Sequence, residues 1–337
     1  MSFMQEVMEQ AEKLRAFCAK TDILDALQGL EPAAFERVIF AGMGSSYAAS
    51  YLGAMRANEL GVKAMFMEPD TLQHSFPVLW DEKTLVVAIS QSGNSRETVE
   101  LAREVPRERL IAIVNQEESK LAALTPYRVL LHAGHEQHTA SKTYTNSIAA
   151  AYRVAEWLGG AKESVLKDAG KLCDQMEKVL ENWEEAGEKL SAFFEDAQAM
   201  TLMGGGASFA TAFQTDYVLA EMDRLFTKAM TPAQFFHGMI ETADEKDRVI
   251  LLDGDERFSG RIEEVLKVLR ERKSKTALIT PRPMEGMVED ENFIMIHLPV
   301  SDHFLFPIAD ILYIEFLGYA LGVRKGLRPG ELTYVRK

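Results

Sequence analysis

The run Ser90-Gln91-Ser92-Gly93-Asn94-Ser95-Arg96-Glu97-Thr98 gathers hydroxyls, a carboxamide and a glycine between an apolar stretch ending at Ile89 and a helical pattern opened by Val99, Leu101 and Ala102. At the carboxyl end of a parallel strand, backbone N–H groups and the helix dipole favour an anion, and serine side chains add neutral donors to phosphate oxygens. Ser92 or Ser95 acting as a helix cap is the competing reading. One cap accounts for one hydroxyl and leaves three of Ser90, Ser92, Ser95 and Thr98 without a reason, so a phosphate-binding loop is the expectation.

An earlier apolar run closes on Gly42-Met43-Gly44-Ser45-Ser46. The glycines allow close backbone approach and Ser45 or Ser46 can donate, although a plain tight turn explains the glycines equally well. A dinucleotide fingerprint needs a third glycine where Tyr47 stands, and Glu68 is only a loose match to the ribose acid, so NAD binding is disfavoured. The second half of the chain has Asp253-Gly254-Asp255-Glu256 where the first has Ser90-Gln91-Ser92-Gly93. Acids there repel a phosphate, which leaves one phosphate site per chain.

Glu221, in Leu219-Ala220-Glu221-Met222, interrupts an apolar helix face. A carboxylate half-buried on that face can act as a base, with a salt-bridged structural role as its equal competitor. His237, in Phe235-Phe236-His237-Gly238, sits among apolar residues after Thr231-Pro232, and on residue types alone it reads as a packed core histidine. His132, His135 and His138 have three-residue spacing in a glycine-containing loop, which fixes no ligand geometry, so no metal is expected.

The elements that must position these groups are legible as short Val-, Ile- and Leu-rich runs, most followed by a helical pattern, which predicts parallel strands joined by crossover helices. In the first half they are Val38 to Ala41, Ala64 to Met67, Thr84 to Ile89, Leu110 to Val114 and Val129 to His132. In the second they are Met200 to Met203, Arg248 to Leu252, Thr276 to Ile279 and Phe293 to Leu298, with a weak counterpart of the Ala64 strand. Gly42-Met43-Gly44-Ser45-Ser46-Tyr47-Ala48 parallels Gly204-Gly205-Gly206-Ala207-Ser208-Phe209-Ala210 at an offset of 162 residues, and Asp81-Glu82-Lys83 parallels Asp244-Glu245-Lys246 at 163. A near-constant offset over two landmarks indicates an internal duplication. The stretch 161–197, rich in Glu, Lys and Leu and free of proline, reads as one or two helices joining the copies. Residues 1–185 are expected to form an N-terminal helix and the first domain, and 186–337 the second domain and tail.

Composition limits the partners. With 337 residues, 47% hydrophobic and 26% charged, the chain suits two globular domains at roughly 150 residues each. A net charge of −14, from 37 basic and 51 acidic residues, repels phosphate backbones and anionic membranes. The densest basic stretch, Arg270 to Lys275, lacks interleaved aromatics and reads as the solvated end of a helix, so no nucleic-acid partner is expected. Cys18 and Cys173 alone build neither a disulfide framework nor a cysteine zinc site, which fits a reducing cytoplasm. The N-terminus does not read as a secretory signal. Phe304 to Val323 contains Pro307, Asp310 and Glu315, so it is expected as a buried helix rather than a membrane span.

Taken together, these residues resemble the sugar isomerase (SIS) family with two tandem domains, as in the isomerase half of glucosamine-6-phosphate synthase and in the fructosamine-6-phosphate deglycases. The resemblance covers nearly the whole chain. It rests on Gly44-Ser45-Ser46-Tyr47, on Ser90-Gln91-Ser92-Gly93-Asn94-Ser95 and on Glu221 with His237 sixteen residues later, with Glu136 before Ser141-Lys142 a looser match. Gly206-Ala207-Ser208-Phe209 and Phe236-His237-Gly238 with Glu241 are similar to the deglycases in particular.

The resemblance implies an α/β fold of two tandem SIS domains, each a parallel sheet flanked by helices in a flavodoxin-like three-layer arrangement. By matching position it implies substrate binding by Gly44, Ser45, Ser46, Ser90, Gln91, Ser92, Ser95 and Ser141. Glu221 matches the base that moves a proton between C1 and C2 of the opened sugar. His237 matches the residue that assists ring opening, often supplied by a neighbouring subunit, which reverses the core-histidine reading. The implied protein is a cytoplasmic homodimer with a shared active site and neither metal nor organic cofactor. It would act on a 6-phosphorylated fructosamine or amino sugar by aldose/ketose rearrangement. Glucosamine-6-phosphate deamination, or non-catalytic sensing of a sugar phosphate, are the alternatives; no helix-turn-helix precedes the first strand. A glutamine-dependent synthase is not expected, because Met1-Ser2 offers no N-terminal cysteine nucleophile. The synthases close a C-terminal lysine over the substrate; Tyr334 falls nearest that position here and Lys337 reaches it only by a shift, so the tail is left out of the site. Met239 stands where the synthases usually have proline after His-Gly.

Overall fold

The structure, a computed structural model, describes residues 2–137, 139–282, 284 and 286–332. It divides into two compact units. The first spans Glu9–Glu136 and Ala140–Gly170; the second holds the described residues of Met1–Met8, Gln137–Thr139 and Lys171–Lys337. His138, Tyr334 and Lys337 lie outside the described residues.

In chain order the first half runs α1 (Phe3–Met8), α2 (Gln10–Cys18), β1 (Arg37–Gly42), α3 (Ser45–Glu59), β2 (Ala64–Met67), α4 (Pro69–Ser75), β3 (Thr84–Ile89), α5 (Arg96–Glu104), β4 (Leu110–Val114), β5 (Arg128–Leu130) and α6 (Lys142–Leu158). Next come α7 (Ala169–Glu181), α8 (Trp183–Phe193), β6 (Ala199–Gly204), α9 (Ser208–Asp223), β7 (Phe226–Met230), α10 (Pro232–Phe236), β8 (Arg248–Leu252), α11 (Ser259–Glu271), β9 (Lys275–Thr280), β10 (Phe293–His297), α12 (Phe306–Ala309) and α13 (Ile311–Arg324). The stretch joining the copies is thus two helices, α7 and α8. The apolar run near the C-terminus is α12 and α13, where 78% of the most apolar window is buried within the protein.

Both sheets have five strands and are parallel throughout, as the continuous apolar runs require of strands covered on both faces. The first has the order β2-β1-β3-β4-β5 and the second β10-β9-β8-β6-β7. Counted from the first strand of each copy these are the same order, 2-1-3-4-5, so the duplication seen in the sequence is a duplication of topology. Each copy is the expected three-layer α/β unit, a parallel sheet flanked by helices.

β3 and β4 are buried along their whole length, as is β8. Ile39, Val86, Ala88, Leu101 and Val114 join one core cluster and Leu251, Ile262, Leu266, Leu278 and Phe293 another. Each Val, Ile, Leu or Phe among these contributes about 1.5–3 kcal/mol on burial, which fixes the sheet against its helices and leaves the carboxyl-end loops as the variable part. The strand that sequence periodicity found weakest is β7, at the edge of the second sheet, with Phe226 and Lys228 exposed. An edge strand has one paired side only, so its pattern of apolar residues is diluted.

Candidate active site

In an order of 2-1-3-4-5 the chain turns one way from the first strand and the other way from the third, and a crevice opens between the loops that follow those two strands. In the first unit these loops carry Gly44, Ser45 and Ser46 after β1, and Ser90, Gln91, Ser92 and Ser95 after β3. Seven residues singled out in the sequence therefore flank one switch point.

The β1 loop is shaped by backbone demands. A Cβ on Gly42 would lie 2.7 Å from the Ser46 carbonyl oxygen, and Gly44 holds φ +56°, a left-handed conformation that a side chain rarely adopts. Gly44, the residue before α3, is a glycine and brings no capping side chain of its own, and the positive end of the helix dipole lies at this loop.

The β3 loop is pinned by its own backbone. Ser90 N donates to Ile113 O, Gly93 N to Ser90 O, Asn115 N to Gln91 O and Leu121 N to Gly93 O, at 2.9 to 3.0 Å. Gly93 has φ +62°, and a Cβ there would fall 2.0 Å from the Ser119 hydroxyl. The helix-cap reading does not hold for either serine. Ser95 occupies the residue before α5 yet caps nothing; its hydroxyl lies 3.0 Å from that of Ser90. The Ser92 hydroxyl accepts from Asn94 N at 3.2 Å, within the loop itself. The buried Thr98 hydroxyl has no hydrogen-bond partner among the described residues, and Gln91 is half-buried.

Ser141 is placed differently. Its N–H and its hydroxyl both donate to Glu136 Oε1, at 3.0 and 3.2 Å, and Thr143 N joins them at 3.1 Å. The Glu136 carboxylate thereby neutralises the start of α6, so Ser141 belongs to a closed cap rather than to the open loop. Lys142, almost fully buried, pairs with Glu9 at 2.5 Å.

Beside the β3 loop lies a cleft of about 490 Å³ lined by Asn115, Gln116, His132, Gly134 and His135. His132 stands at φ +52°, and burial, with the Lys20 charge, holds its imidazole below the usual range against Asp22 and Glu117. Asn115 and Gln116 escaped the sequence reading, because a carboxamide after a strand carries no spacing signal. Among the described residues no three His, Cys, Asp or Glu side chains could hold a metal ion.

Glu221 and His237 belong to the second unit. Glu221 is half-buried in the last turn of α9, and its carbonyl oxygen accepts from Arg224, whose other guanidinium nitrogen donates to Glu331 O at 3.1 Å. Neighbouring Asp223 is buried, which pushes its carboxyl up to about 6 against the opposing charge of Lys325, 3.6 Å away. His237 is exposed at the end of α10, directly before Gly238 at φ +112°, so the core-histidine reading does not hold. α10 is fixed by a reciprocal cap between Thr231 and Gln234.

One further residue joins the element that carries Glu221 to the strand that leads to His237. Asp216 on α9 accepts from Thr227 Oγ1 at 2.6 Å and from Ala229 N at 3.4 Å, both on β7. Burial raises its pKa, opposed by these two hydrogen bonds.

At the second switch point the loop carries Asp253, Gly254 and Asp255. Asp253 pairs with Arg282 at 2.5 Å and accepts from the hydroxyls of Ser259 and Thr280. Asp255 pairs with Arg257 at 2.7 Å. The acids that excluded a phosphate on sequence grounds are therefore buried and satisfied internally.

The SIS domain model matches residues 33–156 and 193–318, the two copies described above. The glutamine–fructose-6-phosphate aminotransferase [isomerizing] of Thermococcus kodakarensis is 26% identical over 344 residues, covering 97% of this chain and 56% of the relative. That of Gloeobacter violaceus is 28% identical over 310 residues, covering 87% and 50%. The chain spans about half the length of these curated relatives. Among solved structures, the C-terminal domain of glucosamine-fructose-6-phosphate aminotransferase from Francisella tularensis has a TM-score of 0.86 at 18% identity, covering 98% of both chains. Tagatose-6-phosphate ketose/aldose isomerase from Escherichia coli has a TM-score of 0.79 at 16% identity, covering 97% of this chain and 93% of that one.

Proposed function

The chain belongs to the SIS domain family, and from that premise we propose that it is a phosphosugar isomerase or deglycase acting on a 6-phosphorylated fructosamine or amino sugar. The observation that carries this reading is the Ser90–Ser95 pair, in which a serine at a helix start gives up capping to meet a second hydroxyl at the switch point. Such a loop suits a phosphate dianion, which takes neutral donors from Ser46, Ser90, Gln91, Ser92 and Ser95 together with the amides at the starts of α3 and α5.

The anchored phosphate turns the reaction at the far end of the sugar into an intramolecular event. His237 assists ring opening, and its exposure suits service to a neighbouring subunit in a homodimer. Glu221 takes the proton from C1 of the opened fructosamine, giving an enolamine, and returns it to C2. The product is a C1 imine, which water cleaves to glucose 6-phosphate and the free amine. No metal or organic cofactor enters these steps, and the cytoplasm is the compartment that suits a sugar phosphate.

The test is product analysis by NMR after the purified protein meets fructosamine 6-phosphates and, separately, glucosamine 6-phosphate. Glucose 6-phosphate with free amine supports the deglycase. Fructose 6-phosphate with ammonia replaces it by a deaminase, and unchanged substrate with saturable binding replaces it by a sensor.

A further inference from the structure

The two copies share loop geometry as well as topology. At the offset of 162, Gly44, Ser45 and Ser46 correspond to Gly206, Ala207 and Ser208; at 163, Ser90, Ser92 and Ser95 correspond to Asp253, Asp255 and Phe258. The loops after β3 and β8 make the same local contact, Asn94 N to Ser92 Oγ and Arg257 N to Asp255 Oδ1, both at 3.2 Å. They differ in what the matching side chain does next.

Asp255, 2% exposed, extends across the crevice, and its Oδ2 accepts from Ala207 N at 3.3 Å, at the start of α9. Arg257 holds the same carboxylate with Nε on Oδ1 at 2.8 Å and Nη2 on Oδ2 at 2.7 Å. Gly206, at φ +55°, leaves room for it, since a Cβ there would lie 2.0 Å from Asp255 Oδ2. The Phe258 ring then covers the turn, 2.4 Å from where a Cβ on Gly205 would stand. Burial opposes the charge on Asp255, yet Arg257, His303 and the Ala207 amide outweigh it and hold the carboxyl below its usual range. The group is an anion locked on a helix start.

We propose that the Asp255 carboxylate is a built-in oxyanion, occupying in the second copy the position that the substrate phosphate takes in the first, and that deleting it opens a second site for a free oxyanion. Identifying the occupant of the first copy as a phosphate rests on the reading given above. The second copy then serves as an internal template for the liganded first copy. It sets a phosphate oxygen on the Ser45 amide, the counterpart of Ala207, with Ser92 at its flank.

Inorganic phosphate and formate, the second a probe of carboxylate size, are titrated calorimetrically into the full chain. The proteins are the parent, Asp255→Gly, Ser90→Ala/Ser92→Ala and the combination of all three. The expected phosphate or formate stoichiometries are one, two, none and one per chain. A folded Asp255→Gly protein that binds one anion, as the parent does, overturns the proposal and leaves the first-copy reading intact. A parent that binds none beside an Asp255→Gly protein that binds one sinks that reading and keeps this proposal. Should the glycine variant not fold, Asp255→Ala in the Ser90→Ala/Ser92→Ala background is unfolded thermally in chloride and in phosphate at equal ionic strength. A midpoint lowered in chloride and recovered in phosphate supports the built-in anion, and an unchanged midpoint or an equal loss in both salts overturns it.

Discussion

Asp216 accepts a 2.6 Å hydrogen bond from the Thr227 hydroxyl and so ties α9, which carries Glu221, to β7, the strand that leads to His237. The two candidate catalytic groups thereby share a fastening that neither residue's own surroundings provide. Asp216→Ala leaves the Thr227 hydroxyl and the Ala229 amide without their acceptor, a loss of about 1–3 kcal/mol of stability. Turnover is expected to fall while substrate KM stays near the parent value, and Asp216→Asn, which keeps one acceptor oxygen, is expected to recover most of both. Steady-state kinetics of the two variants beside their thermal midpoints is the check, and a raised KM with unchanged kcat contradicts the positioning role.

Glu221→Gln preserves shape and removes the base. Proton transfer by a positioned side chain is worth about 10²–10⁴-fold, so kcat should drop by that factor with substrate affinity changed less than about twofold. Retained turnover would remove Glu221 from the mechanism.

Ser90→Ala and Ser95→Ala each delete a donor from the switch-point loop. Hydrogen bonds to a charged group contribute about 1.5–3 kcal/mol, so each variant should bind inorganic phosphate roughly ten- to hundredfold more weakly. Because the two hydroxyls are 3.0 Å apart, their effects should not add, and a double-mutant cycle measures the coupling. Strict additivity, or unchanged affinity in either single variant, counts against the phosphate loop.

The carboxyl of Asp223 lies at about 6 in the folded protein against an ordinary 3.8. Between those values the folded state binds more protons than the unfolded state, so its contribution is complete below about pH 4 and is lost as pH rises through 6. The loss amounts to about 3 kcal/mol at most, at 1.36 kcal/mol per pKa unit. Asp223→Asn should therefore flatten the fall in thermal midpoint between pH 4 and 6 and raise the midpoint at pH 8. An identical pH profile for the two proteins refutes it.

The fold was legible where strands are buried on both faces. The bounds read for the strands at 84–89, 110–114 and 248–252 are those observed, because Val-, Ile- and Leu-rich runs leave no other period to choose; the half-buried edge strand at 64–67, Ala-Met-Phe-Met, was also read at its observed bounds, from the turn residues that follow it. β7 was faint because Phe226-Thr227-Lys228-Ala229-Met230 sits at an edge, with Lys228 exposed and the Thr227 hydroxyl turned to Asp216. Within the site, the serine loop was visible because four hydroxyls exceeded what capping explains. The closed cap at Ser141 was not, since Glu136 reaches it through side-chain folding that no spacing rule encodes. The exposure of His237 was hidden for a related reason, as the apolar residues beside it face the core while Gly238 turns the chain outward.

The edge position of β7 carries one more consequence. An open edge offers unpaired N–H groups on which a foreign strand can add, and proteins guard such edges with charge or by covering the donors. Here the Ala229 N–H is taken by the Asp216 carboxylate and the exposed Lys228 lies beside it, which blocks strand addition in the middle of the edge even though Phe226 is 75% exposed at its start. The hydrogen bonds that align a candidate catalytic helix therefore double as protection against aggregation.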